Sequence, residues 1–306
     1  MSHTLCMPLF SNSAVISLAF GVLIAACQGQ GKRDWPTAVE RAAHSGVDAR
    51  IVVLDVGSGR LLAAYRFGEA AHTLAAPGST LKPLVLYSLV AEGRWNPARR
   101  VACNRQLSIA GHRLACTHPL APPFDAREAL AWSCNSYFAQ VAETLEPGEL
   151  GRILRRTGLL DATGLARKEA IAEFREPRTT ADEQLALLGV VGVRVTPLEM
   201  AEAYRWLALE LAAHPESEAA GVVRAGLRDS TSFGMADAAS LGGVSVAGKT
   251  GTAEETDSSR THGWFVGLAP ADKPQVVVAV FVPAGRGEDA AHLAGELLLH
   301  APLVRP

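Results

Sequence analysis

Arg50-Ile51-Val52-Val53-Leu54-Asp55-Val56 and Gln275-Val276-Val277-Val278-Ala279-Val280-Phe281-Val282 lie near opposite ends of the chain, and both read as β-strands. Gly57-Ser58-Gly59 supplies a turn after the first run, and Leu61 to Tyr65 returns as a second strand of a hairpin. Two further strand-like runs, Val244–Ala247 and Gly263–Leu268, precede the last one, and Ala290–His300 closes the chain as an amphipathic helix. Strands at both ends with helices between them imply an α+β fold. The early and late strands join one antiparallel sheet flanked by helices, with an all-helical lobe of roughly residues 79–240 inserted between them.

Within the lobe, Pro77-Gly78 opens a helix from Ser79 to Glu92 that Gly93 closes, and Pro83 is tolerable because it falls in the first turns. Asp125 with Glu128 forms a capping-box-like start for a helix pattern reaching Ala142. Thr196, Pro197 and Glu199 repeat that signal for a helix to about Ala213.

The 306 residues are 48% hydrophobic with a net charge of −2, so there is material for a large core and no basic face for nucleic acid. Ala14–Ala26 is an uncharged apolar run, shorter than the roughly 20 residues that span a bilayer but of signal-peptide length. It ends in Ile24-Ala25-Ala26-Cys27, which looks like the lipobox of bacterial lipoproteins. The expected organisation is a signal peptide over 1–26, a lipid-anchored tether over 27–36 acylated at Cys27, and a catalytic domain over 37–306. This implies the periplasmic side of the cell envelope, and Gln28 leans toward the outer membrane. Cys134 reads as a small core residue. Cys103 and Cys116 flank a hairpin-like segment and could pair in an oxidising compartment. Cys103, His112, Cys116 and His118 are also potential zinc ligands, but their spacing fits no standard finger, so the disulfide is favoured and no metal or other cofactor is expected.

Three short motifs follow one another: Ser79-Thr80-Leu81-Lys82, Ser133-Cys134-Asn135 and Lys249-Thr250-Gly251. Together they supply a serine nucleophile, candidate bases and a cation without a catalytic histidine. Ser79 and Lys82, three apart on a helix, share a face. Lys82 can act as base only if burial or a second cation such as Lys249 lowers its pKa. Ser133 and Asn135 would diverge by roughly 200° on a helix, so both face a cleft only if the helix starts just after Ser133 and residues 125–132 form a separate element. Lys249 to Thr252 reads as an edge strand in which Gly251 admits a close backbone approach.

In order and context the chain resembles the transpeptidase domain of penicillin-binding proteins, over about residues 45–305. The resemblance implies the β-lactamase/transpeptidase fold and an acyl-serine D,D-transpeptidase or carboxypeptidase acting on peptidoglycan stem peptides and acylated by β-lactams. It makes Ser79 the nucleophile, Lys82 its base and Ser133 the relay to the leaving group. Asn135 binds a substrate amide, Lys249 and Thr250 bind a carboxylate, and the backbone amides of Thr252 and Ser79 form the oxyanion hole. A serine β-lactamase is the alternative enzyme, but no E-x-x-L-N setting surrounds Glu169, Glu173 or Glu176, and Ser133-Cys134-Asn135 departs from the SxV of class D. A non-catalytic penicillin-binding sensor or scaffold lipoprotein is a third reading.

Gly243–Thr250 also matches the phosphate-loop pattern GxxxxGK[ST]. The residues before it are not strand-like and those after it read as hairpin, which argues against nucleotide binding.

Overall fold

Val276–Val282 runs through the middle of a five-stranded antiparallel sheet. The computed structural model describes residues 34–119, 123–241, 243–254 and 260–303. Its strands are β1 (Arg50–Asp55), β2 (Leu61–Tyr65), β3 (Gln106–Ile109), β4 (His112–Ala115), β5 (Glu173–Phe174), β6 (Val193–Arg194), β7 (Ala247–Glu254), β8 (Thr261–Ala269) and β9 (Val276–Val282). The main sheet has the order β2-β1-β9-β8-β7, so β1 from the start of the domain pairs with β9 from its end. This is the joining of early and late strands that the sequence implies.

The helices are α1 (Trp35–Ala43), α2 (Phe67–Ala70), α3 (Lys82–Ala91), α4 (Ala126–Ala131), α5 (Asn135–Ala142), α6 (Glu149–Arg156), α7 (Thr180–Leu187), α8 (Pro197–Ala213), α9 (Glu218–Ser232) and α10 (Gly287–His300). The unbroken apolar run of β9 is explained by burial on both faces. Val276, Val278, Val280 and Val282 pack with Val39 of α1 and with Leu293 and Leu297 of α10. Val277, Ala279 and Phe281 pack with the lobe, where α8 lies against β1 and β9. Each such valine, leucine or phenylalanine contributes roughly 1.5–3 kcal/mol.

Three expectations change. The lobe is not all-helical, because β3–β4 and β5–β6 form two small ladders within it. The β3–β4 turn places Ala110 and Gly111 at φ +46° and +85°, the left-handed pair that a two-residue hairpin needs. The strand expected at Val244–Ala247 begins only at Ala247, because Val244 and Val246 are buried in the α1/α10 layer ahead of it. The helix expected from Ser79 starts at Lys82, and Ser79 lies in a preceding 3₁₀ turn, Gly78–Leu81. Cys27 and the expected signal segment lie outside the described residues. Among the described residues no helix is long and apolar enough to cross a membrane.

Candidate active site

The turn that carries Ser79 is pinned from three sides. His262 Nε2 and Trp264 Nε1, both from β8, meet the Ala76 carbonyl at 2.7 and 2.9 Å, and the Tyr204 hydroxyl of α8 donates to Thr80 O at 2.9 Å. Against β7 the contact is backbone on backbone. Gly78 has φ +55°, and a Cβ there would sit 2.9 Å from Thr252 O. A Cβ on Gly251 would sit 2.6 Å from Pro77 O and 3.4 Å from Ser79 N. Two glycines thus bring the Ser79 turn onto the edge strand. In a 3₁₀ turn residues i and i+3 eclipse, so Ser79 and Lys82 share a face more closely than on an α-helix.

Lys82 is completely buried. Its Nζ donates to Ser133 O at 2.9 Å, Ser133 Oγ at 3.3 Å and Asn135 Oδ1 at 2.7 Å, and lies 5.1 Å from the Phe138 ring centroid. Burial lowers its pKa from the ordinary lysine value to about 8. Lys249 is equally buried and donates to Thr250 O at 3.0 Å. Burial first, and then the Lys82 charge, holds its pKa well below the ordinary lysine value. Two ammonium groups in one dry site disfavour each other, which is how a lysine becomes a base near neutral pH.

The second motif contains the helix break expected from its spacing. α4 stops at Ala131, Ser133 takes φ +56°, and α5 resumes at Asn135. This left-handed Ser133 directs both its hydroxyl and its carbonyl to Lys82. Asn135 is held by its Nδ2, which donates to Ala115 O at 3.0 Å.

The third motif is split by strand alternation. Lys249 and Gly251 face the Ser79 turn. Thr250 and Thr252 face the other way, where the Thr250 hydroxyl donates to Met235 O at 3.3 Å and Thr252 Oγ1 accepts from Gly287 N at 2.9 Å. Lys249 and Thr250 were expected to grip one carboxylate together. The two side chains instead leave opposite faces of β7, with Lys249 fully buried on the Ser79 side. The phosphate-loop match also fails, because β7 continues to Glu254 where that loop would open a helix.

A family model for the penicillin-binding protein transpeptidase domain matches residues 49–300. The chain belongs to that family. A peptidoglycan D,D-transpeptidase PbpA of Mycolicibacterium smegmatis is 44% identical over 68 residues, 21% of this chain and only 13% of that protein. The probable peptidoglycan D,D-transpeptidase PenA of Neisseria flavescens is 25% identical over 297 residues, 83% of this chain and 74% of that one. The TP domain of Burkholderia pseudomallei penicillin-binding protein 3 superimposes with TM-score 0.75 at 22% identity, covering 86% of this chain and 91% of that chain. Penicillin-binding protein 3 of Mycobacterium tuberculosis, solved with aztreonam, gives 0.71 at 20% identity over 85% of this chain and 74% of that chain. The transpeptidase fold is therefore shared across both.

Sequence reasoning missed the residues that brace this transpeptidase domain's site. His262 and Trp264 alternate along β8, but nothing in their spacing signals a shared carbonyl on Ala76. Cys134 is fully buried in the core, as expected, and its thiol lies beside Cys103 and Cys116. All three are free, so the pairing of Cys103 with Cys116 is not formed. His112, also a potential zinc ligand by sequence, is exposed on β4 and outside the group formed by Cys103, Cys116, His118 and Cys134.

Proposed function

We propose that this domain is an acyl-serine D,D-transpeptidase or carboxypeptidase of peptidoglycan stem peptides, acylated by β-lactams at Ser79. The observation that carries the reading is the buried Lys82, with its depressed pKa, joined to both Ser133 and Asn135 in the turn after Ser79. Neutral Lys82 takes the proton of Ser79 Oγ as the oxygen attacks the penultimate D-Ala carbonyl. The oxyanion forms between the Ser79 and Thr252 amides. The C–N bond to the terminal D-Ala breaks, and its nitrogen receives the proton from Lys82 through Ser133. An acceptor amine or water then attacks the Ser79 ester, returning the proton to Ser79 and completing a new amide or a free acid. Asn135 positions a substrate amide, and Lys249, on the Ser79 side of β7, attracts the substrate carboxylate.

Two of the three glutamates in the region where a deacylating glutamate would stand, Glu169 and Glu173, are engaged elsewhere. Glu169 accepts from Thr163 Oγ1 at 2.5 Å and Gly164 N at 2.6 Å, and Glu173 pairs with Arg194 at 3.4 Å. This favours a long-lived acyl-enzyme over β-lactam turnover. Incubation with a fluorescent penicillin tests the reading. Stable label together with D-Ala release from a pentapeptide supports it, label without release indicates a sensor, and rapid loss of label indicates a β-lactamase. The Ile24-Ala25-Ala26-Cys27 pattern supports acylation at Cys27 and anchoring on the periplasmic side of a membrane, with Gln28 favouring the outer one. Radiolabelled palmitate should enter wild-type protein and be absent from Cys27→Ser.

A further inference from the structure

Three thiols and one imidazole meet beside the second motif. Cys103 precedes β3, Cys116 follows β4, His118 stands two residues later, and Cys134 occupies the bend between Ser133 and α5. One ligand-type atom from each lies within 4.8 Å of every other. Four ligands of a tetrahedral zinc, at about 2.3 Å for sulfur and 2.0–2.1 Å for nitrogen, sit roughly 3.5–3.8 Å apart, so a contraction of about 1 Å closes the set.

Several independent features point to a cation at the centre. Cys116, His118 and Cys134 are buried, at 6%, 2% and 0% exposure. His118 Nδ1 meets the Pro119 carbonyl at 2.9 Å, which fixes the tautomer with its lone pair on Nε2. That Nε2 is buried and makes no hydrogen bond among the described residues, a costly arrangement for an imidazole unless the lone pair has a ligand. The sulfurs meanwhile receive donors. Arg105 N points at Cys103 Sγ at 3.3 Å, Ser136 Oγ at the same sulfur at 3.6 Å, and Asn135 N at Cys116 Sγ at 3.2 Å. Such donors suit thiolates. A disulfide would use two of the three thiols and leave the third and the histidine unexplained.

We propose that Cys103, Cys116, His118 and Cys134 form a structural zinc site of the Cys₃His type. Soft thiolate ligands with one imidazole in a closed tetrahedron select zinc. Binding releases the thiol protons and leaves the cluster with one net negative charge. The metal ties the β3–β4 hairpin to the start of α5, and Cys134 is the residue between Ser133 and Asn135. The site therefore holds the left-handed Ser133 and the Asn135 amide where Lys82 reaches them.

The test is elemental analysis of the full chain purified under reducing conditions, followed by cobalt exchange. About one zinc per chain is expected. Cobalt should give tetrahedral d–d absorption with a sulfur charge-transfer band. His118→Ala and Cys103→Ser should bind zinc at least about tenfold more weakly. His118→Cys should keep zinc as a four-thiolate site, separating metal loss from misfolding. Removing zinc from wild type should slow penicillin acylation of Ser79 more than it weakens reversible binding, and zinc addition should restore the rate. Zinc content does not depend on the proposed activity, so the two readings fail separately. Metal-free protein that takes up neither zinc nor cobalt, or a Cys103–Cys116 disulfide in a non-reducing peptide map, would overturn the proposal.

Discussion

Lys82 Nζ lies 2.7 Å from Asn135 Oδ1, and this bond joins the first motif to the second across 53 residues of sequence. With the two bonds to Ser133 it occupies all three protons of an ammonium group. The resting lysine is thus a donor, and it becomes a base only by losing a proton.

That requirement sets a pH dependence. Acylation should rise with pH through an apparent pKa of about 8 and level off above it, because the neutral amine is the active form. The same depression works on stability. Between about 8 and the ordinary lysine value the unfolded chain binds the proton that the folded one has released, so Lys82 makes folding more favourable as pH rises through that window. A penicillin acylation profile that falls across pH 7–9 would contradict the assignment.

Gly251→Ala should impair acylation while leaving the fold in place. Its Cβ would lie 2.6 Å from Pro77 O, so the turn carrying Ser79 must shift away from Thr252. A displacement of about 1 Å at a reacting group can cost about 10²-fold in rate. Stopped-flow acylation together with a thermal melt separates the two effects, and a wild-type rate would show that the close approach does not matter.

Substrate binding should take up protons. Burial and Lys82 hold the Lys249 pKa well below the ordinary lysine value, and a peptide carboxylate arriving along β7 favours its charged form. Calorimetric titration of Ser79→Ala with a D-Ala-D-Ala peptide in buffers of different ionisation enthalpy should give buffer-dependent heats of that sign. Equal heats in all buffers would remove the coupling.

Much of this was legible because local rules and tertiary structure agree. Asp125 with Glu128 and Thr196 with Glu199 form the reciprocal caps that their spacing promises. Leu61–Tyr65 pairs with β1 as the intervening glycines suggest. The break at Ser133 was inferable only by letting the chemistry override a helical pattern. What stayed hidden depends on partners far apart in sequence. The 3₁₀ turn at Ser79 is set by Thr252 and Gly251 on β7. The opposite facing of Lys249 and Thr250 needs the strand to exist before its consequence is visible. The sulfur cluster needs Cys134 to fold against a hairpin that ends near residue 116, and no spacing rule joins those positions.

Nitrocefin should give a stoichiometric burst and almost no steady turnover, since Glu169 and Glu173 are bound to Thr163 and Arg194. Enzymes typically turn over at about 10 per second. A steady rate of that order, abolished in Ser79→Ala, would mean that another group activates the deacylating water.

The central claim is that Ser79 is the nucleophile, and intact-protein mass spectrometry after incubation with benzylpenicillin tests it most directly. Ser79→Ala removes only a half-buried hydroxyl, so the variant should melt within about 1 kcal/mol of wild type. Wild type should gain the mass of one penicilloyl group, mapped to the peptide containing Ser79, while Ser79→Ala gains none. An adduct of the same mass on the alanine variant would contradict the account.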